Sequence, residues 1–225
     1  EIEELVEGPK IGIYYYNNKW NKCTNKKLDA SKSIWHGPNF EKLSEECFSE
    51  LNFEKLNTDY CYTFVLQNSK CFNFTKYKNN DYVLVSCRDL NKNSPNYLKE
   101  ILDENNNFRF PEKINKISLE DIEHNLSNTN IPGYIIKSEN KIYRFESDIF
   151  KDAISIKGNQ RNMRIRYLEI RNNNKLKDKF ILYYPEILNI INEAEYNIKF
   201  VSQKIFQKYL NKFIQKLDVQ ILPRF

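Results

Sequence analysis

The hydrophobic period of this chain changes once, at Tyr184, and that change constrains the fold more than any other feature. Beyond it Ile187, Leu188, Ile191, Ala194, Ile198, Val201, Ile205, Phe206, Tyr209, Phe213 and Leu217 recur three and four residues apart, which marks one helical face. Pro185 suits a first helical turn, where a missing N–H is no loss, and Pro223 lies past the periodic stretch. The stretch is long enough for two helices. Before Tyr184 the pattern is different: short runs of aromatic and β-branched residues separated by polar, Asn-rich turns. The expectation is an α+β body with an antiparallel sheet over residues 1–157 and a helical extension over 158–225, with no internal repeat.

Within the body, KIGIYYYNNKWNKCT (10–24) reads as a hairpin turning at Asn17-Asn18, because Asn tolerates the positive φ that a tight turn requires. From Asp29 to Leu51 the spacing of Phe40, Leu43, Cys47 and Leu51 predicts an amphipathic helix under that hairpin. Residues 60–74 and 81–87 read as two strands pairing antiparallel in the core of the sheet. Residues 97–104 and 118–126 read as short helices. Residues 133–137 and 141–146 form a second hairpin, GYIIK-SEN-KIYRFE.

Composition narrows the function classes. A chain of 225 residues with 15 Tyr and 15 Phe can bury a sizeable core. The net charge of +5, from 35 basic and 30 acidic residues, permits binding to a phosphate backbone without demanding it. Cys23, Cys47, Cys61, Cys71 and Cys87 form an odd set with no CxxC pair, which fits buried, reduced thiols better than a disulfide framework or a zinc site. His36 and His124 lack cysteine or carboxylate neighbours at metal-ligand spacing and read as surface or capping residues. No apolar run reaches the length of a membrane span, so no membrane is expected as a partner. A start at Glu1 without Met leaves room for residues upstream. Heavy use of Lys, Asn, Ile and Tyr with little Ala reflects AT-rich coding.

Three strings in order then carry a resemblance. EGPKIGIYYYNNKWNKCTNKKLDASKSIW, DYCYTFVLQNSKCFNFTKYKNNDYVLVSCRD, and IPGYIIKSENKIYRFESDIF followed by KGNQRNMRIRYLEIR resemble successive motifs of covalent nucleotidyltransferases, specifically the RNA ligase branch typified by T4 RNA ligase 1. The resemblance implies a nucleotidyltransferase-like α+β fold and, from the coding bias, a large AT-rich DNA virus as source. In that family a lysine in Lys-x-Asp-Gly attacks ATP and becomes adenylated, and a central-strand glutamate holds the ribose. A Glu-Gly strand places the metal and two late lysines neutralise the α-phosphate. Each role depends on its charge.

Carried over by resemblance, four of those charge roles are lost, at Leu5, Val65, Pro132 and Glu146. Leu5-Val6-Glu7-Gly8 lies where Lys-x-Asp-Gly belongs, so Leu5 stands at the nucleophile and Glu7 and Gly8 complete the motif. Val65 replaces the central glutamate, Pro132-Gly133 replaces Glu-Gly, and Arg144 and Glu146 replace the two lysines. A hydrocarbon at the nucleophile position has no atom that can attack phosphorus. Lys10, two residues after Gly8, is the nearest substitute, although the family's lysine precedes that glycine by three. The resemblance therefore implies an inactive relative with no catalytic residues, metal or cofactor, acting as a binding or structural module on RNA, DNA or protein partners in a larger assembly. Its place would be the cytoplasm, a virion or a viral factory. The alternative is an active ATP-dependent RNA ligase with relocated groups, using ATP and Mg²⁺.

Two further features bear on binding. Lys157, Arg161, Arg164, Arg166 and Arg171 cluster around Tyr167 and could grip a phosphate backbone, unless partners such as Glu169 neutralise them. Of Tyr14, Tyr15 and Tyr16, strand alternation leaves Tyr15 as the candidate for stacking.

Overall fold

In a computed structural model of the chain, residues 1–34, 39–91, 108–115, 117–138, 141–160 and 162–217 are described. The strands are β1 (Ile2–Glu4), β2 (Lys10–Tyr16), β3 (Lys19–Cys23), β4 (Tyr60–Gln67), β5 (Asp81–Asp89), β6 (Gly133–Lys137) and β7 (Ile142–Glu146). The α-helices are α1 (Phe40–Cys47), α2 (Leu119–Asn128), α3 (Asp148–Lys157), α4 (Met163–Ile170), α5 (Asn174–Tyr183) and α6 (Leu188–Tyr209). The strands form two antiparallel sheets, one ordered β3-β2-β4-β5 and a smaller one ordered β1-β6-β7. The fold class is therefore α+β, as the sequence implies.

The β2–β3 hairpin turns at Asn17 (φ 51) and Asn18 (φ 57), which gives both central residues the positive φ of a type I′ turn. Period-two alternation then sorts the large sheet into two faces. Ile11 and Ile13 of β2, Tyr62, Phe64 and Leu66 of β4, and Tyr82 and Leu84 of β5 turn inward against α1, Phe48 and Phe108. Edge-on ring contacts such as Phe48–Phe64 at 5.3 Å and Phe64–Tyr82 at 5.5 Å fill that layer. Burying one such ring contributes about 2–3 kcal/mol. The intervening residues Lys10, Thr63 and Val65 face the other way, towards the small sheet.

A second core joins the helices. Ala153 and Ile156 of α3 pack with Met163, Tyr167 and Ile170 of α4, Phe180 of α5, Tyr184 and Ile187, and Ile191 and Ala194 of α6. Phe72 and Phe74, from the loop after β4, reach into the same cluster and tie it to the sheet.

Several expected elements have different limits. The helix expected from Asp29 to Leu51 is only Phe40–Cys47, because two side chains cap separate turns: Asp29 accepts the Ser31 N–H in a 3₁₀ turn, and Asn39 accepts the Lys42 N–H to start α1. Its apolar positions Phe40, Leu43, Cys47 and Leu51 are nevertheless all buried. The strand expected to reach residue 74 stops at Gln67, where Asn68 caps another 3₁₀ turn and Phe72 takes φ 43. The tail carries one long helix, α6, extended by a π-helical turn over Leu210–Ile214. Tyr16, not Tyr15, is the exposed tyrosine of β2, since Tyr15 packs edge-on against Trp20 at 5.3 Å. The helix expected at 97–104, with His36, Arg161 and Pro223, lies outside the described residues.

Candidate functional site

Between the two sheets lies a cleft of about 960 Å³. Its walls come from β1 and the loop to Gly8, from Lys10, Thr63, Val65, Val85 and Ser86 of the large sheet, from Ile135, Lys137, Ile142 and Arg144 of β6 and β7, and from Phe150, Ile154 and Lys157 of α3. Polar and apolar groups alternate here because both sheets present their non-core face to it.

The loop from Leu5 to Gly8 is fixed at both ends. The Leu5 N–H donates to the Gly133 carbonyl at 2.9 Å, which seats its side chain, only 7% exposed, at the cleft wall. Glu7 is buried, and its carboxylate accepts the N–H groups of Phe74 at 2.9 Å and Thr75 at 2.7 Å. Tyr77 Oη donates to the Glu7 carbonyl at 2.7 Å, and burial pushes the Tyr77 phenol up to about 12. Gly8 has φ +149, and a Cβ there would lie 2.2 Å from the Leu66 carbonyl oxygen. Only glycine allows the loop to run this close to β4.

The resemblance-derived positions divide into two groups. Leu5, Glu7, Gly8, Val65 and Arg144 line the cleft together. Pro132, Gly133 and Glu146 are not among its lining residues. Gly133 pairs with Glu146 in the β6–β7 register, and at φ +144 its Cβ would meet the Phe145 carbonyl oxygen at 1.9 Å. Its function in the fold is close strand approach. Arg144 pairs with Glu146 at 2.6 Å, so the arginine beside the cleft already has an anion.

The other cleft cations are held in different ways. Lys137 forms a buried ion pair with Glu3 across β1 and β6. Lys157 is 5% exposed, donates to the Phe72 carbonyl at 2.7 Å and lies 5.5 Å over the Tyr184 ring. Burial lowers its pKa, partly offset by Glu7. Lys10 is solvent-exposed at the mouth of the cleft, and partial desolvation of its ammonium, reinforced by Arg144, lowers its pKa. Lys137 and Glu3 escaped the sequence reading because they meet 134 positions apart; only the alternation of Ile135 and Lys137 on one face of β6 hinted at it.

Leu5 offers no amine and Val65 no carboxylate at the cleft wall. Among the described residues, no three of His, Cys, Asp and Glu converge as a metal ligand set.

Among its described residues, the basic segment is not a continuous patch. Lys157 is inside the protein, which corrects its placement in a surface cluster: the stem of α3 packs it under Phe72 and Tyr184. Arg164 pairs with Glu193 at 2.6 Å, Arg166 with Glu169 at 3.0 Å, and Arg171 with Glu195 at 2.9 Å. His124 lies on α2, and Cys47, Cys71 and Cys87 are buried free thiols.

Comparison with protein-family models finds none that matches the chain, and no curated protein matches it either. Among solved structures, the chain is similar to a Naegleria gruberi RNA ligase variant with ATP and Mn, at 14% identity and a TM-score of 0.42, over 66% of this chain and 49% of that one. It is similar to the same organism's RNA ligase with PPi, at 15% identity and a TM-score of 0.41, over 66% and 49%. It is also similar to a putative ATP-dependent DNA ligase from Aquifex aeolicus, at 16% identity and a TM-score of 0.49, over 95% and 61%. The chain thus spans about half the length of those RNA ligase chains and 61% of the DNA ligase chain.

Proposed function

We propose that this chain is a ligase-like protein whose cleft has kept its walls and lost nucleotidyl-transfer chemistry, and that it acts by binding, to nucleic acid or to a protein partner in a larger assembly. The observation that carries the reading is Leu5. Its backbone is fixed to Gly133 and its side chain closes the cleft wall at the position where, by sequence resemblance, a lysine nucleophile belongs. Val65, in the same cleft and almost fully buried, supplies no carboxylate. The reading includes a source in a large DNA virus and a place in the cytoplasm, a virion or a viral factory.

A second reading is favoured by one observation. Lys10 lines the same cleft with a lowered pKa and, among the described residues, no ion pair. Its Nζ could attack an α-phosphorus and expel pyrophosphate, leaving a lysyl-nucleotide, if ATP and Mg²⁺ bound there. Incubation with α-labelled ATP or GTP and Mg²⁺, followed by denaturing electrophoresis, separates the two. The first reading expects no label on the chain. Label that survives denaturation and disappears in Lys10→Arg would replace it with the second. Titration with single-stranded RNA and duplex DNA at several salt concentrations then distinguishes nucleic acid, with a steep salt slope, from protein partners.

A further inference from the structure

Among the described residues, the outer edge of β7 is the strand edge that the chain leaves open. The edge of β1 is covered by the segment after Pro111: the Glu4 N–H donates to the Glu112 carbonyl at 3.0 Å and the Ile114 N–H to the Ile2 carbonyl at 2.9 Å. The edge of β5 meets the Arg109 carbonyl, which accepts the Leu84 N–H at 2.8 Å. β3 carries Lys19 and Lys22 within five residues, charges that discourage pairing. On β7 the one cation, Arg144, is held by Glu146 at 2.6 Å. The β6–β7 ladder is bounded by the Ser147 N–H on the Pro132 carbonyl at 3.0 Å and the Ser138 N–H on the Lys141 carbonyl at 2.8 Å. Antiparallel alternation therefore turns the backbone groups of Tyr143 and Phe145 towards β6 and those of Ile142, Arg144 and Glu146 outward, where no group of the described residues meets them. Ile142, Tyr143 and Phe145 are 61%, 47% and 40% exposed.

The cleft beside this edge is polarised. Its acidic residues, Glu1, Glu3, Glu4 and Glu7, lie on β1 or directly before and after it, on the far side of β6 from β7. Two of them are paired, Glu1 with Lys113 and Glu3 with Lys137. The β7 side is basic. Arg144 lies on the strand, Lys141 at its start, and Lys10 across the cleft, close enough for the Arg144 guanidinium to add to the lowering of the Lys10 pKa. Alternation along β7 puts Ile142 and Arg144 on the cleft face and Tyr143 and Phe145 on the opposite face. Any strand laid along the edge would offer its own alternate side chains to a basic surface on one face and an aromatic one on the other.

We propose that the open edge of β7 receives an extended polypeptide segment of alternating acidic and apolar residues, added antiparallel as a fourth strand of the small sheet. Its acidic side chains lie over the cleft beside Arg144 and Lys10, and its apolar ones beside Tyr143 and Phe145. The outward backbone groups select the class of partner: they alternate donors with acceptors, which another polypeptide backbone complements, whereas a phosphate backbone offers only acceptors and leaves the carbonyls unmatched. Charge selects the side chains. A second copy would bring KIYRFE (141–146), with two cations and one acid, to an edge that is already basic, whereas carboxylates opposite Arg144 form favourable cross-strand pairs. Antiparallel addition continues the pattern of every strand pair in the small sheet. The inference deepens the protein-partner reading of the proposed function and rests on it.

The experiment is fluorescence anisotropy of the full chain with a labelled, end-capped peptide SVEVEVS, its basic counterpart SVKVKVS, and two backbone-methylated forms of SVEVEVS. In the antiparallel arrangement the residues that share the cleft face with Arg144 point their N–H groups at β7, so N-methylation of both glutamates removes the ladder bonds while N-methylation of the valines faces solvent. Binding of SVEVEVS that weakens about tenfold or more on methylation of the glutamates, is retained on methylation of the valines, and exceeds that of SVKVKVS supports the proposal. So does a fall of about fivefold or more in Lys10→Gln/Arg144→Gln; both side chains are at the surface, and circular dichroism checks that the fold is intact. No binding of SVEVEVS overturns it, as does equal binding of the two methylated forms or of native and variant chains. A dimer without peptide that Arg144→Pro dissociates, proline being tolerated on an open edge, would assign the edge to a second copy and likewise overturn it. Failure of the peptides leaves the loss of nucleotidyl chemistry standing, and label transferred from ATP would refute that reading without altering the anisotropy.

Discussion

Replacing Glu7 with glutamine tests whether the loop from Leu5 to Gly8 is held by charge. The substitution preserves shape and changes only what the head group can accept. The carboxylate takes two backbone N–H groups, from Phe74 at 2.9 Å and Thr75 at 2.7 Å. An amide has one acceptor oxygen, so one N–H keeps a neutral partner and the other faces an NH₂ group. Losing one charge-assisted bond costs about 1.5–3 kcal/mol, and weakening its neighbour costs about 1 more. The expected destabilisation of Glu7→Gln is about 2.5–4 kcal/mol, or a fall in Tm of roughly 10 °C for a domain of this size. Urea unfolding followed by circular dichroism would read it as a lower midpoint at unchanged slope. Lys157 adds a second requirement, because its buried ammonium is favoured by the Glu7 charge. The double variant Glu7→Gln/Lys157→Met should therefore lose less than the sum of the two singles. A loss below about 1 kcal/mol in Glu7→Gln, or strict additivity in the double, would refute the account, since a typical neutral hydrogen bond alone is worth that much.

Two further outcomes follow from the geometry. Burial depresses the pKa of Lys157 below the ordinary lysine value of 10.5, so between the folded pKa and 10.5 the unfolded chain binds more protons and this residue's contribution to stability rises with pH. The stability of the native chain relative to Lys157→Met should increase from pH 7 towards pH 10 in urea titrations, and parallel curves would contradict it. Gly133→Ala should cost about 3 kcal/mol or more, through a strained φ of +144 and a Cβ 1.9 Å from the Phe145 carbonyl oxygen. Gly158→Ala, at φ +65 with 3.5 Å to Arg166, should cost only about 1 kcal/mol, and similar losses in both would show that strand approach is not the reason for Gly133.

What the sequence determined by itself was whatever depends on neighbours a few residues away. The Asn17-Asn18 turn, the inward period of Tyr62, Phe64 and Leu66, the pairing of β4 with β5 and the helical face from Ile187 to Ala194 all follow from local spacing, and the structure has them. Where a side chain competed with that spacing, the spacing misled: Asp29, Asn39 and Asn68 each cap a turn and cut an element short, because an Asx oxygen satisfies N–H groups that a longer helix or strand would otherwise pair.

Tertiary structure decided most of the charges. Lys157, read as a surface cation, is buried, and Arg164 and Arg171 meet Glu193 and Glu195, 29 and 24 positions away, whereas the Arg166–Glu169 pair, three residues apart, was legible in the local sequence. Lys137 finds Glu3 at the opposite end of the body. Whether a cation is free depends on what the folded chain brings within a few ångströms, because Coulomb attraction falls with distance in space and ignores distance along the chain. The same holds for apolar groups. One period runs from Ile187 to Leu217, yet only the part that meets α4 and α5 became core, and the structure left the rest of that face in solvent.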